Sequence, residues 1–432
     1  NICEPNSFEI MPKPVIKRLH NGLPILSVPM KGTESATILV VAKVGSRYET
    51  KAEQGISHVL EHMLFKGSKK WPTARDISQA LDGVGADYNA FTSKDETGYY
   101  VRVAHQHLPL AIDIISDMIW QPVLAADELQ REKKVICEEI KMYEDNPLMH
   151  IGDLLEGAVF QDSSLGVNIA GSLKSVTKLS RSQVFKYHQR YYTPRNLLVM
   201  VAGKINTQAE RLLRRQFNET SRGKMGGFQI FKPKQTKPRV VIQRKATQQV
   251  QLALGFPAYG YRHKNKLALD LLATVLGGNM SSRLFMRLRE REGLCYSINA
   301  ATENYEGTGV LAVQAGLDTA RLPQAIKLIR QELIKVITEP IGLEELNKAK
   351  EFIKGKITLA MENSSTQAQW AAKQYIFENK LEDTKQFLVR ISQLQARELS
   401  LAAKEVINFK QANLALIGPF NSAKPWLKLI KP

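Results

Sequence analysis

The sequence is poor in residues that staple a fold or carry it through a membrane. Three cysteines in 432 residues, Cys3, Cys137 and Cys295, cannot make the disulfide framework of a small secreted domain, so a reducing compartment is the simpler expectation. No apolar run approaches the length of a membrane span. No signal-peptide pattern of charged, apolar and small residues is visible either. The chain opens at Asn1, so processing or truncation of an N-terminal segment is expected, with the cytoplasm as the expected location. Acidic residues are the minority, 42 against 60 Lys and Arg, for a formal net charge of +18. The basic residues are dispersed, with little aromatic interleaving, and even the run from Lys232 to Arg239 fits no nucleic-acid motif. The charge therefore reads as solvated surface, and no nucleic-acid partner is expected.

What the sequence does contain is a compact set of metal-ligand residue types. In the run from Gly55 to Gly67, His58, Glu61 and His62 recur at helical spacing, and at roughly 100° per residue they share one stripe with Phe65. Ile56, Val59, Leu60, Met63 and Leu64 form the other side. Two imidazoles at i and i+4 suit zinc, which in catalytic sites takes three protein ligands and leaves a fourth position open. The carboxylate between them is close enough to take a proton from water without being a ligand. The order inverts the commoner His-Glu-x-x-His helix.

A second segment, Asp127 to Tyr143, reads as one long helix. Glu132 and Glu139 stand two turns apart, within an arc made by Leu129, Val135, Ile136, Ile140, Met142 and Tyr143. Arg131, Lys134, Glu138, Lys141 and Asp145 make the solvated face. Carboxylates in an apolar stripe are costly unless a cation meets them; a metal with its histidines would do so, and a pair of buried salt bridges is the alternative. Cys137 lies off the stripe. His20, His105, His107, His150, His188 and His263 have no partner at ligand spacing and are expected in surface or core hydrogen bonds.

The inverted zinc helix, followed by Glu132 and Glu139 at this spacing, resembles the pitrilysin/insulysin (M16, inverzincin) family of zinc peptidases, in its short two-domain form. The resemblance runs from about Val15 to the end of the chain. It implies His58, His62 and Glu139 as ligands of one Zn2+ per chain, Glu61 as general base, and Glu132 as an accessory carboxylate close to the metal. It likens Arg289 and Tyr296, in the run Arg289 to Ser297, to the family's substrate-holding Arg and Tyr. It also likens Tyr88 to Ser93 to a substrate-binding edge strand, with Asn89, Ala90 and Phe91 as contacts. Chemistry agrees: an extended peptide can add to a sheet edge, and a guanidinium and a phenol suit a developing oxyanion.

The chain also states its plan twice. Asp127 onward aligns with Glu344 onward, pairing Ile136 with Ile353 and Ile140 with Ile357. Val101–Ile119 parallels Val310–Ile329, and Asn196–Gly203 resembles Asn413–Gly418. Glu132 then meets Ala349 and Glu139 meets Lys356, while Leu269 to Leu276 stands in place of the zinc helix, so the second copy has no metal site. Two homologous domains are expected, 1–218 with the metal and 238–432 with the Arg/Tyr pair, joined by a linker at 219–237. The fold class is α+β. By the resemblance, each domain is an antiparallel-rich sheet with helices on one face, and two chains close a clamshell chamber. A homodimer, or a heterodimer with a metal-free relative, would hydrolyse peptides or unfolded segments there. The alternatives are a non-catalytic structural subunit and a presequence-processing peptidase.

Overall fold

The structure is a computed structural model that describes residues 14–218 and 227–432; Cys3 and the first part of the expected linker, 219–226, lie outside it. The first half of the chain forms strands β1 (Val15–Arg18), β2 (Pro24–Pro29), β3 (Ser35–Ala42), β4 (Asp87–Thr92), β5 (Thr97–Ala104) and β6 (Leu197–Gly203). Its helices are α1 (Ile56–Leu64), α2 (Ala74–Asp82), α3 (Leu108–Trp120), α4 (Ala126–Asp145), α5 (Pro147–Val159), α6 (Leu173–Lys178), α7 (Arg181–Tyr191) and α8 (Thr207–Phe217). The second half forms β7 (Arg239–Arg244), β8 (Gln249–Ala258), β9 (Cys295–Tyr305), β10 (Thr308–Asp318) and β11 (Asn413–Gly418). Its helices are α9 (Lys266–Gly277), α10 (Leu322–Thr338), α11 (Leu343–Ala360), α12 (Ser364–Lys373), α13 (Thr384–Gln393), α14 (Ala396–Val406) and α15 (Lys424–Ile430). Mixed helices and sheets in two units make this an α+β fold.

The chain divides into two compact units that do not follow chain order. One runs to Cys137 and takes in Ile169–Phe228 and Lys356–Arg390; the other comprises Glu138–Asn168, Gln229–Gly355 and Ile391–Pro432. In the first, the sheet order is β1-β2-β6-β3-β5-β4, antiparallel except for β2 with β6. Strand β3 is buried along nearly its whole length because both of its faces are covered. Leu39 and Val41 join Leu26, Val28, Leu198 and Met200 under Ala368, Ala371 and Ala372 of α12, which is pinned to β3 by Ser364 Oγ at 2.8 Å from Thr37 Oγ1. The alternate residues Ile38 and Val40 face the other way, toward the side on which α3 packs.

The second unit is built alike, in the order β7-β11-β8-β10-β9, with only β7 and β11 parallel. Leu252, Leu254, Leu311 and Val313 pack with α9, α10 and α14. Ala253, Val310, Ala415 and Ile417 meet Ile151, Leu155 and Val159 of α5 on the opposite face. Each sheet thus has the helices of its own half of the chain on one face, as expected, and on the other a helix lent by the other half, the one that follows the long helix (α4 or α11).

The duplication is visible in topology: β6 and β11 each pair parallel with one neighbour and antiparallel with the other. Alignment of α4 with α11 holds, since they start at Ala126 and Leu343. The pairing of Val101 with Val310 does not. Leu108-Pro109 opens α3 as Leu322-Pro323 opens α10, which brings Val101 opposite Ala315; the β9–β10 hairpin is longer, and its extra residues lie at the turn. Among the described residues no helix is long and apolar enough to cross a membrane.

Candidate metal centre

Helix α1 begins abruptly because its first donors are taken by a side chain. Both oxygens of Glu49 accept main-chain N–H groups, from Gly55 at 2.8 Å and Ser57 at 2.9 Å, which satisfies donors that a helix start leaves without partners. Gly55 has a positive φ of 89°, and a Cβ there would stand 2.6 Å from the Ala170 carbonyl oxygen, so only glycine fits. Ser57 Oγ lies 2.8 Å from the Tyr187 hydroxyl, which fixes α1 against α7. Burial pushes the Glu49 carboxyl up to about 7, against the pull of the Ser57 and Gly55 donors.

The apolar side of α1, Ile56, Val59, Leu60, Met63 and Leu64, is buried, and His58, Glu61 and His62 are half-buried on the other side, as the helical period predicts. The rings of His58 and His62 are 4.6 Å apart and inclined at 73°. Burial, and secondarily the neighbouring His62, hold His58 down to about 4, so at neutral pH it is an uncharged imidazole, the form that binds metal. One nitrogen from each histidine and a carboxylate oxygen of Glu139 lie within 4.8 Å of one another. Glu139 reaches this position along the continuous helix α4, whose buried stripe is Leu129, Glu132, Lys133, Ile136 and Ile140. Two imidazoles and a carboxylate, brought this close, fit zinc by donor type and number.

The structure sets Glu132 behind His62. Its Oε2 is 3.1 Å from His62 Nδ1 and its Oε1 is 2.8 Å from Lys66 Nζ, with the side chain 7% exposed. Burial acts to raise its pKa, but the bonds from His62 and Lys66 outweigh it and hold Glu132 below the ordinary carboxylate range. A carboxylate only accepts, so Nδ1 carries the ring proton and Nε2 keeps its lone pair. Val135 and Met142, expected in the apolar arc, are 51% and 55% exposed. They follow Glu132 and Glu139 by three residues, about 60° round the helix, beyond the edge of the packed stripe.

Glu61 accepts a hydrogen bond from the Thr92 hydroxyl at the end of β4. Tyr99 and Tyr192, whose hydroxyls are 2.7 Å apart, are raised by burial and, with other neighbours, by the Glu61 charge. Strand β4 pairs only with β5 and is the edge of its sheet, with Asn89 exposed and Ala90 and Phe91 half-buried. Sequence reasoning missed Lys66 and Glu49, and placed Thr92 in the edge strand without its bond to Glu61. Lys66 was readable, since it continues the His58 and His62 stripe by one further turn.

In the second unit, Tyr296 is 47% exposed near the start of edge strand β9, with Gln251 Nε2 donating to its hydroxyl at 3.4 Å. Its ring lies over Gly316, where a Cβ would meet it at 2.6 Å. The Arg289 guanidinium lies 4.8 Å from the ring centroid of Phe285. Of the other histidines, His188 is buried and bonds the Ile119 carbonyl at 2.8 Å, and His263 stacks on Tyr259. Cys137 and Cys295 form no disulfide.

Comparison with known proteins agrees with this geometry. The model of the insulinase family, peptidase family M16, matches residues 25–172, and one described as the peptidase M16 inactive domain matches residues 178–353. A Bacillus subtilis protein named "uncharacterized zinc protease YmxG" is 33% identical over 94% of this chain and 98% of its own length. A Streptomyces coelicolor relative named "uncharacterized zinc protease SCO5738" is 32% identical over 93% and 88%. The crystal structure of a protease from Helicobacter pylori superposes with a TM-score of 0.86 at 25% identity, covering 94% of this chain and 100% of that one. An M16 inactive-domain protein from Pseudomonas fluorescens, 19% identical, shares the fold with a TM-score of 0.86 over 95% and 99%. With whole-length relatives above 30% identity and both halves matched, the chain belongs to the M16, or insulinase, family of peptidases, in its short two-domain form.

Proposed function

We propose that the chain is a zinc-dependent endopeptidase acting on peptides or unfolded segments, with His58, His62 and Glu139 holding one zinc ion. The observation that carries this is the convergence of those three ligand atoms within 4.8 Å, with Glu61 on the same helix. Zinc in such a site supplies Lewis-acid chemistry, making water more acidic and an amide carbonyl more electrophilic. Glu61 takes the proton of the attacking water and returns it to the leaving amine. Asn89, Ala90 and Phe91 offer the free edge of β4 to an extended peptide, whose main chain bonds there independently of sequence. Arg289 and Tyr296 bind the substrate carbonyl and the oxyanion that forms from it. In a homodimer they would serve the partner's site; the same halves could be shared with a metal-free relative. The boundary between the two duplicated halves of the sequence falls at 219–237.

Hydrolysis of a quenched peptide by wild type, Glu61→Gln and Glu139→Gln tests this. Glu61→Gln should keep its metal and lose turnover by about 10²-fold or more, whereas Glu139→Gln should lose much of both. Normal turnover in Glu61→Gln would reject the mechanism.

A further inference from the structure

One interaction next to the metal centre occurs twice in the molecule. Thr92, the last residue of edge strand β4, donates its hydroxyl to Glu61 on α1. Thr302, on edge strand β9, donates its hydroxyl to Asp270 on α9 at 2.5 Å. These bonds hold the same place in the duplicated plan. The Leu-Pro pairs that open α3 and α10 bring Thr97 opposite Leu311, and those residues are the cross-strand partners of Thr92 and Thr302. Asp270 therefore stands where Glu61 stands, and Leu267 and Leu271 stand where His58 and His62 do.

Every ligand position of the second copy is thus filled by a residue that cannot serve: two leucines on α9 and Lys356 on α11. The bond from strand hydroxyl to helix carboxylate is still present there, with Asp270 also held by Lys266 at 2.9 Å. A contact present where no metal chemistry is available has a mechanical purpose of its own. An edge strand is held on one side only, and a hydroxyl bonded to the neighbouring helix restrains it on a second.

We propose that Thr92 is a positioning residue that fastens strand β4 to Glu61. The bond commits Glu61 Oε2 to the strand and so fixes the direction of the carboxylate relative to any peptide lying along Asn89 to Phe91. Misplacement of about 1 Å between base and substrate is enough to cost 10²-fold in rate. The catalytic part of this inference rests on the peptidase reading above; the tether itself does not.

The test compares the full-length zinc-loaded chain with Thr92→Val, which keeps the branched shape and loses the donor, with Thr92→Ser, which keeps the donor, and with Thr302→Val. Hydrogen exchange read by mass spectrometry should show β4 amides opening about tenfold faster in Thr92→Val and near the wild-type rate in Thr92→Ser, with the same acceleration at β9 in Thr302→Val. With a peptide substrate, Thr92→Val should lose about tenfold in kcat with KM within about twofold and zinc content unchanged, and Thr92→Ser should recover most of it. Unchanged exchange at β4 in Thr92→Val, or a Thr92→Ser that behaves like Thr92→Val, overturns the tether. Unchanged kcat in Thr92→Val of an active enzyme overturns its role in catalysis. A wild type inert to every peptide, with the exchange pattern as expected, would sink the peptidase reading and leave the tether standing.

Discussion

Removing the Glu132 carboxylate should weaken zinc binding although no ligand atom is touched. Glu132 is charged at neutral pH, since its bonds to His62 and Lys66 outweigh the effect of burial, and it fixes the His62 tautomer by accepting from Nδ1 at 3.1 Å. In Glu132→Ala the imidazole loses that acceptor, and the Lys66 ammonium, now without the carboxylate 2.8 Å away, remains beside the site as an uncompensated positive charge. A hydrogen bond to a charged partner contributes about 1.5–3 kcal/mol, which corresponds to roughly 10- to 100-fold in affinity. Competition of apoprotein against a zinc chelator at neutral pH reads this directly. Glu132→Gln keeps an acceptor without the charge and should fall between the two. An unchanged zinc affinity in Glu132→Ala would refute the orienting role, and a loss as complete as that of His62→Ala would make Glu132 a ligand.

Two further predictions concern buried charged groups of the first unit. Burial, reinforced by Asp95 and opposed by Lys373, pushes Glu96 up from 4.5 to about 7, so the folded chain holds a proton that the unfolded chain releases within that window. Its contribution to stability is full below about pH 4.5 and is lost as pH rises through about 7, with a slope of at most about 1.4 kcal/mol per pH unit; melting curves of Glu96→Gln should be flatter over this range, and curves parallel to wild type would contradict the assignment. Arg47 and Asp95 form an ion pair at 2.6 Å with side chains 0% and 1% exposed, and Arg47 also lies over the Phe228 ring. Arg47→Met alone should destabilise by about 3–5 kcal/mol in urea titration, and adding Asp95→Leu should recover part of that loss, because the cost lies mainly in the stranded charge; equal stability of single mutant and wild type would refute it.

The clustering of His58 and His62 on one side of α1 and the buried stripe of α4 were legible in the sequence because both depend on a single period, that of the α-helix. His58, His62 and Glu139 needed only that period and the resemblance to be named, and Met63 and Leu64 needed only the period to be placed inside. The nearly continuous apolar run of β3, which suits a strand buried on both faces, says nothing of which helix covers each face, so the loan of α5 and α12 between the two halves of the chain was not readable. Spacing also cannot show a carboxylate that reaches a helix from outside it, as Glu49 does, or a hydroxyl from another strand, as Thr92 does. The misplaced Val135 and Met142 have the composition of a core and sit just past its border, where a hydrophobic side chain is no guide to burial. The five-residue slip between Val101 and Val310 came from a hairpin whose extra length is taken up at its turn, where no apolar pattern records it.

Zinc titration of the metal-stripped chain and of Glu139→Gln tests the metal centre most directly. Wild type should take up one zinc per chain, and Glu139→Gln should bind it far more weakly while folding as wild type does. A wild type that binds no zinc, or a Glu139→Gln variant with wild-type affinity and stoichiometry, would contradict a site built from His58, His62 and Glu139.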